Sequence, residues 1–150
     1  MTMIELFMLR SKVRALATLL EDQAPKTCKA ILELLPAEFR FLTCAWSGAE
    51  ILTYLDPPNL VRLQPENLVK SVLPGDICYV YAPGPVGKGG GSYVGSSTTD
   101  YAEIAIYYDR EAQGSDVNLF ARITEGLDEF AKAAGKIRWN GAETIRFGRL

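Results

Sequence analysis

The sequence contains no histidine. That absence removes His-based acid/base catalysis, Ser-His-Asp and Cys-His nucleophile pairs, and every zinc site that needs imidazole. Cysteine is scarce as well. Cys28, Cys44 and Cys78 are widely spaced and odd in number, so they build neither a paired disulfide framework nor a CxxC metal clamp. Each lies in an apolar stretch, where a buried free thiol is the ordinary reading. No hydrophobic run approaches the ~18 residues that a membrane helix needs. The apolar stretch from Met3 to Leu9 is interrupted by Glu5 and has neither a basic leader nor a small-residue cleavage site, so no signal peptide is expected. Charge of one sign is missing too: 16 Lys and Arg against 18 Asp and Glu leave a net charge of −2. With a pI near 5.2, a nucleic-acid footprint is not expected. The sequence predicts a protein of the reduced cytoplasm with no metal, cofactor, nucleic-acid or membrane partner, and leaves homo-oligomerisation open.

Hydrophobic residues make up 48% of the 150 positions, and the mean hydropathy is +0.03. A chain of this length and composition fills one core, buries roughly 70% of its unfolded surface, and reads as a single domain over residues 1–150. The opening reads as a hairpin, with apolar runs Met3 to Leu9 and Val13 to Leu20 separated by Arg10-Ser11-Lys12. Pro25 suits the first position of a helix, and Cys28, Ile31, Leu32 and Leu35 form its buried stripe before Pro36 ends it. From Phe39 the period becomes two. Trp46-Ser47-Gly48-Ala49 makes a turn, and Glu50 to Leu55 returns as a strand. Further strands are expected at Ile77 to Ala82, Ala102 to Tyr108, Val117 to Ile123 and Thr144 to Phe147. Leu127, Phe130, Ala131 and Ala134 mark a second helix, with Gly135 as its expected cap. About nine strand segments and two short helices favour a closed barrel.

The one low-complexity stretch lies at 83–100 and holds six glycines from Gly84 to Gly95, which predicts a flexible Gly-rich loop. Its Gly84-Pro85-Val86-Gly87-Lys88 run does not meet the G-x-x-x-x-G-K-[ST] spacing of a phosphate loop.

Two segments carry a family resemblance. Leu20-Glu21-Asp22-Gln23-Ala24-Pro25-Lys26-Thr27 is similar to the first strand, turn and helix of the cyclophilins. Asn118 to Asp128, with Phe120 followed by Glu125-Gly126-Leu127-Asp128, is similar to a later cyclophilin strand. Trp46-Ser47-Gly48-Ala49-Glu50, Gly75-Asp76-Ile77-Cys78-Tyr79 and Ile104-Ala105-Ile106-Tyr107-Tyr108 resemble motifs of short bacterial and archaeal cyclophilin-like proteins without an established function. The resemblance implies a mainly β fold: a closed cyclophilin-like barrel of about eight strands with two short helices. It does not extend to the prolyl isomerase machinery. No Arg or Lys lies between Phe41 and Val61, no Gln-Gly-Gly segment follows, and the family's His and Gln positions fall at Val117 and Glu103.

All seven tyrosines lie between Tyr54 and Tyr108. Tyr79 and Tyr81 share one strand face, and Tyr101, Glu103 and Tyr107 share another. Flat rings with one hydroxyl suit a ligand or partner surface. The expected ligand-binding residues are therefore Trp46, Glu50, Tyr79, Tyr81, Tyr101, Glu103 and Arg122, with no catalytic or metal-binding residue among them. The expected function is that of a cyclophilin-like barrel that binds a small molecule or peptide without prolyl isomerase activity. An unconventional or vestigial isomerase and an accessory subunit of an amide-processing enzyme are the alternatives.

Overall fold

Alternation of buried and exposed positions builds this protein from antiparallel strands, and a computed structural model describes residues 1–84 and 100–150. In chain order the elements are β1 (Met3–Met8), β2 (Val13–Leu19), α1 (Pro25–Leu34), β3 (Ala37–Thr43), β4 (Gly48–Tyr54) and β5 (Leu68–Val69). They continue with β6 (Asp76–Ala82), β7 (Tyr101–Ala112), β8 (Val117–Glu125), α2 (Leu127–Asn140) and β9 (Glu143–Arg149). Every pairing is antiparallel. The ring runs β2-β1-β9-β3-β4-β7-β6-β8 and closes through β2 against β8, giving an eight-stranded barrel. β5 lies beside the start of β8, as Leu68 pairs with Asn118 and Val69 with Val117.

The interior is filled by one face of each strand, including Ile4, Leu6, Phe41, Ile51, Ile104 and Phe120. Phe147 meets Phe39 edge-on at 5.2 Å and stacks with Phe41 at 5.9 Å. Both helices add to this core, α1 through Cys28 and Ile31 and α2 through Phe130, Ala134 and Ile137. All three cysteines are buried free thiols.

A second apolar cluster covers the outer face where β4, β7, β6 and β8 meet. Leu52, Ala105, Cys78, Leu119, Cys44 and Tyr107 form it, with Val69, Val72 and Ala112 packed against it. Two-sided burial explains why Tyr101 to Tyr108 is buried at every position while the shorter strand β3 alternates.

Two expectations need comment. The second helix does not stop at Gly135. It continues to Asn140 and ends at Gly141, whose φ of 89° suits glycine. A glycine inside a helix costs about 1 kcal/mol, and burying Ile137 two residues later offsets that. The expected Gly-rich loop, apart from 83, 84 and 100, lies outside the described residues.

Candidate functional site

The sequence Glu-Ile-x-x-Tyr occurs twice, as Glu50-Ile51-Leu52-Thr53-Tyr54 on β4 and as Glu103-Ile104-Ala105-Ile106-Tyr107 on β7. The two strands run antiparallel in a register that sets Glu50 against Tyr107, Leu52 against Ala105 and Tyr54 against Glu103. Residues at i, i+2 and i+4 share one face of a strand. The two Glu-Tyr pairs therefore stand on the barrel's outer face, one on each side of the Leu52–Ala105 pair. β6 extends the patch, placing Asp76 beside Tyr107 and Cys78 beside Ala105.

Both carboxyls are withdrawn from water: Glu50 and Glu103 are each 4% exposed. Burial drives the Glu50 carboxyl up to about 7; the Ser47 hydroxyl, which donates to its Oε1, opposes that rise, and the negative charge of Glu103 adds to it. Gly48 places this serine. With φ +77° it forms the bulge that starts β4, and a side chain there would strike the carbonyl of Glu111 at 1.9 Å. Three neighbours, Tyr107, Tyr54 and Cys78, are raised as well. Burial raises the Tyr107 phenol far above its ordinary range, with Glu50 adding to it, and raises Tyr54, with Glu103 adding to it. Burial also lifts the Cys78 thiol well above its ordinary value. The loop after β7 lies close over the patch, and a Cβ on Gly114 would stand 2.9 Å from the Tyr107 hydroxyl.

The seven residues expected from sequence separate into four groups. Glu50, Tyr101 and Glu103 share the outer patch, with Tyr101 meeting Tyr54 edge-on at 5.8 Å. Trp46 stands 66% exposed in the turn just before β4. Tyr79 and Tyr81 belong to the inner face. The Tyr79 hydroxyl donates to the Val61 carbonyl at 2.7 Å and accepts from the Val61 N–H at 2.8 Å, which makes it a tether for the loop after β4. Tyr81 packs against the core and donates to Asp100 Oδ2 at 3.1 Å. Asp100 also accepts from Gly84 N–H and Arg62, bonds that hold its carboxyl down to about 2. Arg122 lies on the outer face of β8, where its Nε donates to the buried Asp76 at 2.6 Å.

Sequence reasoning placed Tyr107 on the face of Tyr101 and Glu103 without counting it among the binding residues, and it missed Tyr54, Cys44 and Cys78 as members of the patch. The repeated Glu-Ile-x-x-Tyr was the available signal, but it points to one surface only once the strands are known to pair in this register. Among the described residues no group of three His, Cys, Asp or Glu is placed to hold a metal ion. What the patch offers is hydrogen-bond chemistry: a carboxyl that donates when protonated, a second carboxyl on the same face, and phenols held in their neutral form.

The fold is shared with two solved structures. McbB, solved in complex with tryptophan, superimposes with a TM-score of 0.68 at 15% identity, over 97% of this chain and 44% of that one, so this chain spans less than half of McbB. The hypothetical protein AF2241 from Archaeoglobus fulgidus, solved in solution, gives a TM-score of 0.57 at 21% identity over 99% of this chain and 95% of that one. At such identities the likeness is one of fold. No curated protein matches the chain. Residues 7–149, nearly the whole barrel with both helices, match the family described as protein of unknown function DUF3830, and the chain belongs to that family.

Proposed function

We propose that this protein is a cyclophilin-like binding barrel whose outer patch, built on Glu50 and Glu103, takes a small molecule or peptide through an amine or amide nitrogen. The observation that carries the reading is the pair of carboxyls, each 4% exposed, on neighbouring strands of one face. A carboxyl withdrawn from water forms stronger hydrogen bonds than one at the surface, so this pair suits an ammonium or amide N–H donor. Tyr54 and Tyr101, in edge contact, give an aromatic wall at the Glu103 end, and Trp46 stands exposed before β4; such surfaces favour a flat or cationic ligand. That McbB was solved with tryptophan, an amino acid with an aromatic side chain and an ammonium group, supports the same ligand class. The residues are assigned binding roles, with no reaction step.

The test is thermal unfolding at pH 7 with tryptophan, tryptamine and indole-3-propionate, in the wild type and in Glu103→Gln. A ligand at 100 times its Kd stabilises by about 2.7 kcal/mol. The expected outcome is a raised Tm with one or both amines, none with the acid, and a loss of the amine effect in the variant. If neither amine shifts the Tm, or if Glu103→Gln responds as the wild type does, the reading is wrong.

A further inference from the structure

The ladder between β3 and β4 ends early. The two strands pair only at Leu42 with Leu52 and Thr43 with Ile51. Yet β3 stays paired with β9 from Ala37 to Phe41, and β4 stays paired with β7 as far as Tyr54. Continued in the same register, the ladder would set Arg40 against Tyr54 and Glu38 against Asp56. Like charges directly opposite one another destabilise a sheet. Asp56 is followed by Pro57 and Pro58, which have no N–H to donate. The strands part there, and a cavity of about 350 Å³ occupies the wedge, lined by Glu38, Phe39 and Arg40 on one side and by Thr53, Tyr54 and Asp56 on the other.

The wedge is chemically open on two counts. Cys44 N–H donates to the Glu50 carbonyl at 2.9 Å. By the alternation of an antiparallel ladder, Leu42, Arg40 and Glu38 then turn their main-chain groups to the β4 side. Beyond Leu42 no β4 residue pairs with them. The side chains are open as well: among the described residues Glu38, Arg40 and Asp56 take part in no ion pair. Thr53, 3% exposed, also lines the cavity.

We propose that the wedge is a second site, beside the outer patch, which takes an extended peptide segment of a partner protein by strand addition to the free edge of β3. A lysine or arginine of the peptide sits between Glu38 and Asp56, and an acidic side chain two residues along meets Arg40. An extended backbone matches the row of main-chain groups on β3, and the basic side chain supplies the charge that the two facing acids lack. The recognised pattern is a basic and an acidic residue separated by one residue, with no proline between them.

The experiment is fluorescence anisotropy with a labelled peptide of sequence Thr-Val-Lys-Val-Asp-Val-Thr. The controls are the same peptide with N-methylated valines and a peptide with Glu in place of Lys. Expected are saturable binding to the wild type, at least tenfold weaker binding of both control peptides, and at least tenfold weaker binding of the parent peptide to a Glu38→Gln, Asp56→Asn double variant. A Glu38→Lys, Asp56→Lys variant should reverse the preference and take the Glu-containing peptide more tightly. All of these positions are exposed, so far-UV circular dichroism should confirm an unchanged fold. Absence of saturation at millimolar protein would overturn the proposal, as would equal binding of the N-methylated peptide or indifference to the double variant.

Discussion

Glu50 shows how one residue carries both a cost and a use. Its carboxyl titrates at about 7 because burial penalises the charged form and Glu103 lies near enough to add to the penalty. A carboxyl whose folded value lies above its unfolded value binds more protons in the folded state. Its contribution is therefore fully present below the ordinary value of 4.5 and is lost as pH rises toward 7. The shift corresponds to at most on the order of 3 kcal/mol. The urea midpoint should accordingly fall between pH 5 and pH 8 in the wild type. Glu50→Gln, which keeps the shape and accepts from Ser47 without a charge, should flatten that fall. A wild-type midpoint that rose with pH over the same interval would show that the carboxyl is solvated or paired in solution. The same titration bears on the site, since near neutrality Glu50 switches between donating and accepting a hydrogen bond.

At the scale of elements, the helices are finished by residues far away in sequence. Ala24 gives α1 no side-chain cap. Its open N–H groups are met by Glu66, which accepts from Lys26 N–H at 3.1 Å, Thr27 N–H at 2.7 Å and the Thr27 hydroxyl at 2.8 Å. Burial would raise this carboxyl, but the Thr27 and Lys26 bonds outweigh it and hold it below the ordinary range. Asn118 locks the group together, donating to the Thr27 hydroxyl and accepting from the Glu66 and Asn67 N–H groups. At the other end of α1, Arg149 donates to the Leu32 and Leu35 carbonyls, and Arg10 does the same for α2 at Gly141 and Ala142. Glu66→Ala should cost about 1–2 kcal/mol, the size of a lost N-cap. It should also remove the loss of stability on acidification that a lowered carboxyl brings, since that contribution disappears as pH falls through the folded value. Equal chemical-denaturation midpoints for variant and wild type would show that the cap is not formed in solution. The start of α1 at Pro25 was legible because proline and the apolar stripe are local signals. Its cap was not, because it comes from a loop 39 residues on.

For the whole molecule, periodicity indicated the strands and their number, and their shortness and spacing favoured closure. The order round the ring was not accessible in the same way. Nothing local in β2 says that Leu16 to Leu19 meet β8, or that β9 slots between β1 and β3. Those pairings depend on which faces match after collapse. They explain both the recovery of Glu50, Tyr101 and Glu103 as one patch and the loss of Tyr79 and Tyr81 to the inner face. They also bear on stability. In a closed ring every strand has two neighbours, so removing any one exposes two edges at once. Both helices and all eight barrel strands draw on one inner core, and the second apolar cluster lies on strands that also build that core, so neither is lost without the other. The barrel should therefore unfold in a single transition, with far-UV circular dichroism and the near-UV tyrosine signal coinciding. The near-UV band is the right tertiary reporter because Tyr79, Tyr101, Tyr107 and Tyr108 are buried. Tryptophan fluorescence is the wrong one: Trp46 and Trp139 are 66% and 81% exposed in the native state, so their emission should move little on unfolding. If the tyrosine signal were lost at a lower denaturant concentration than the strand signal, the outer patch on β4, β6 and β7 would come apart before the ring does, and the barrel would not be one cooperative unit.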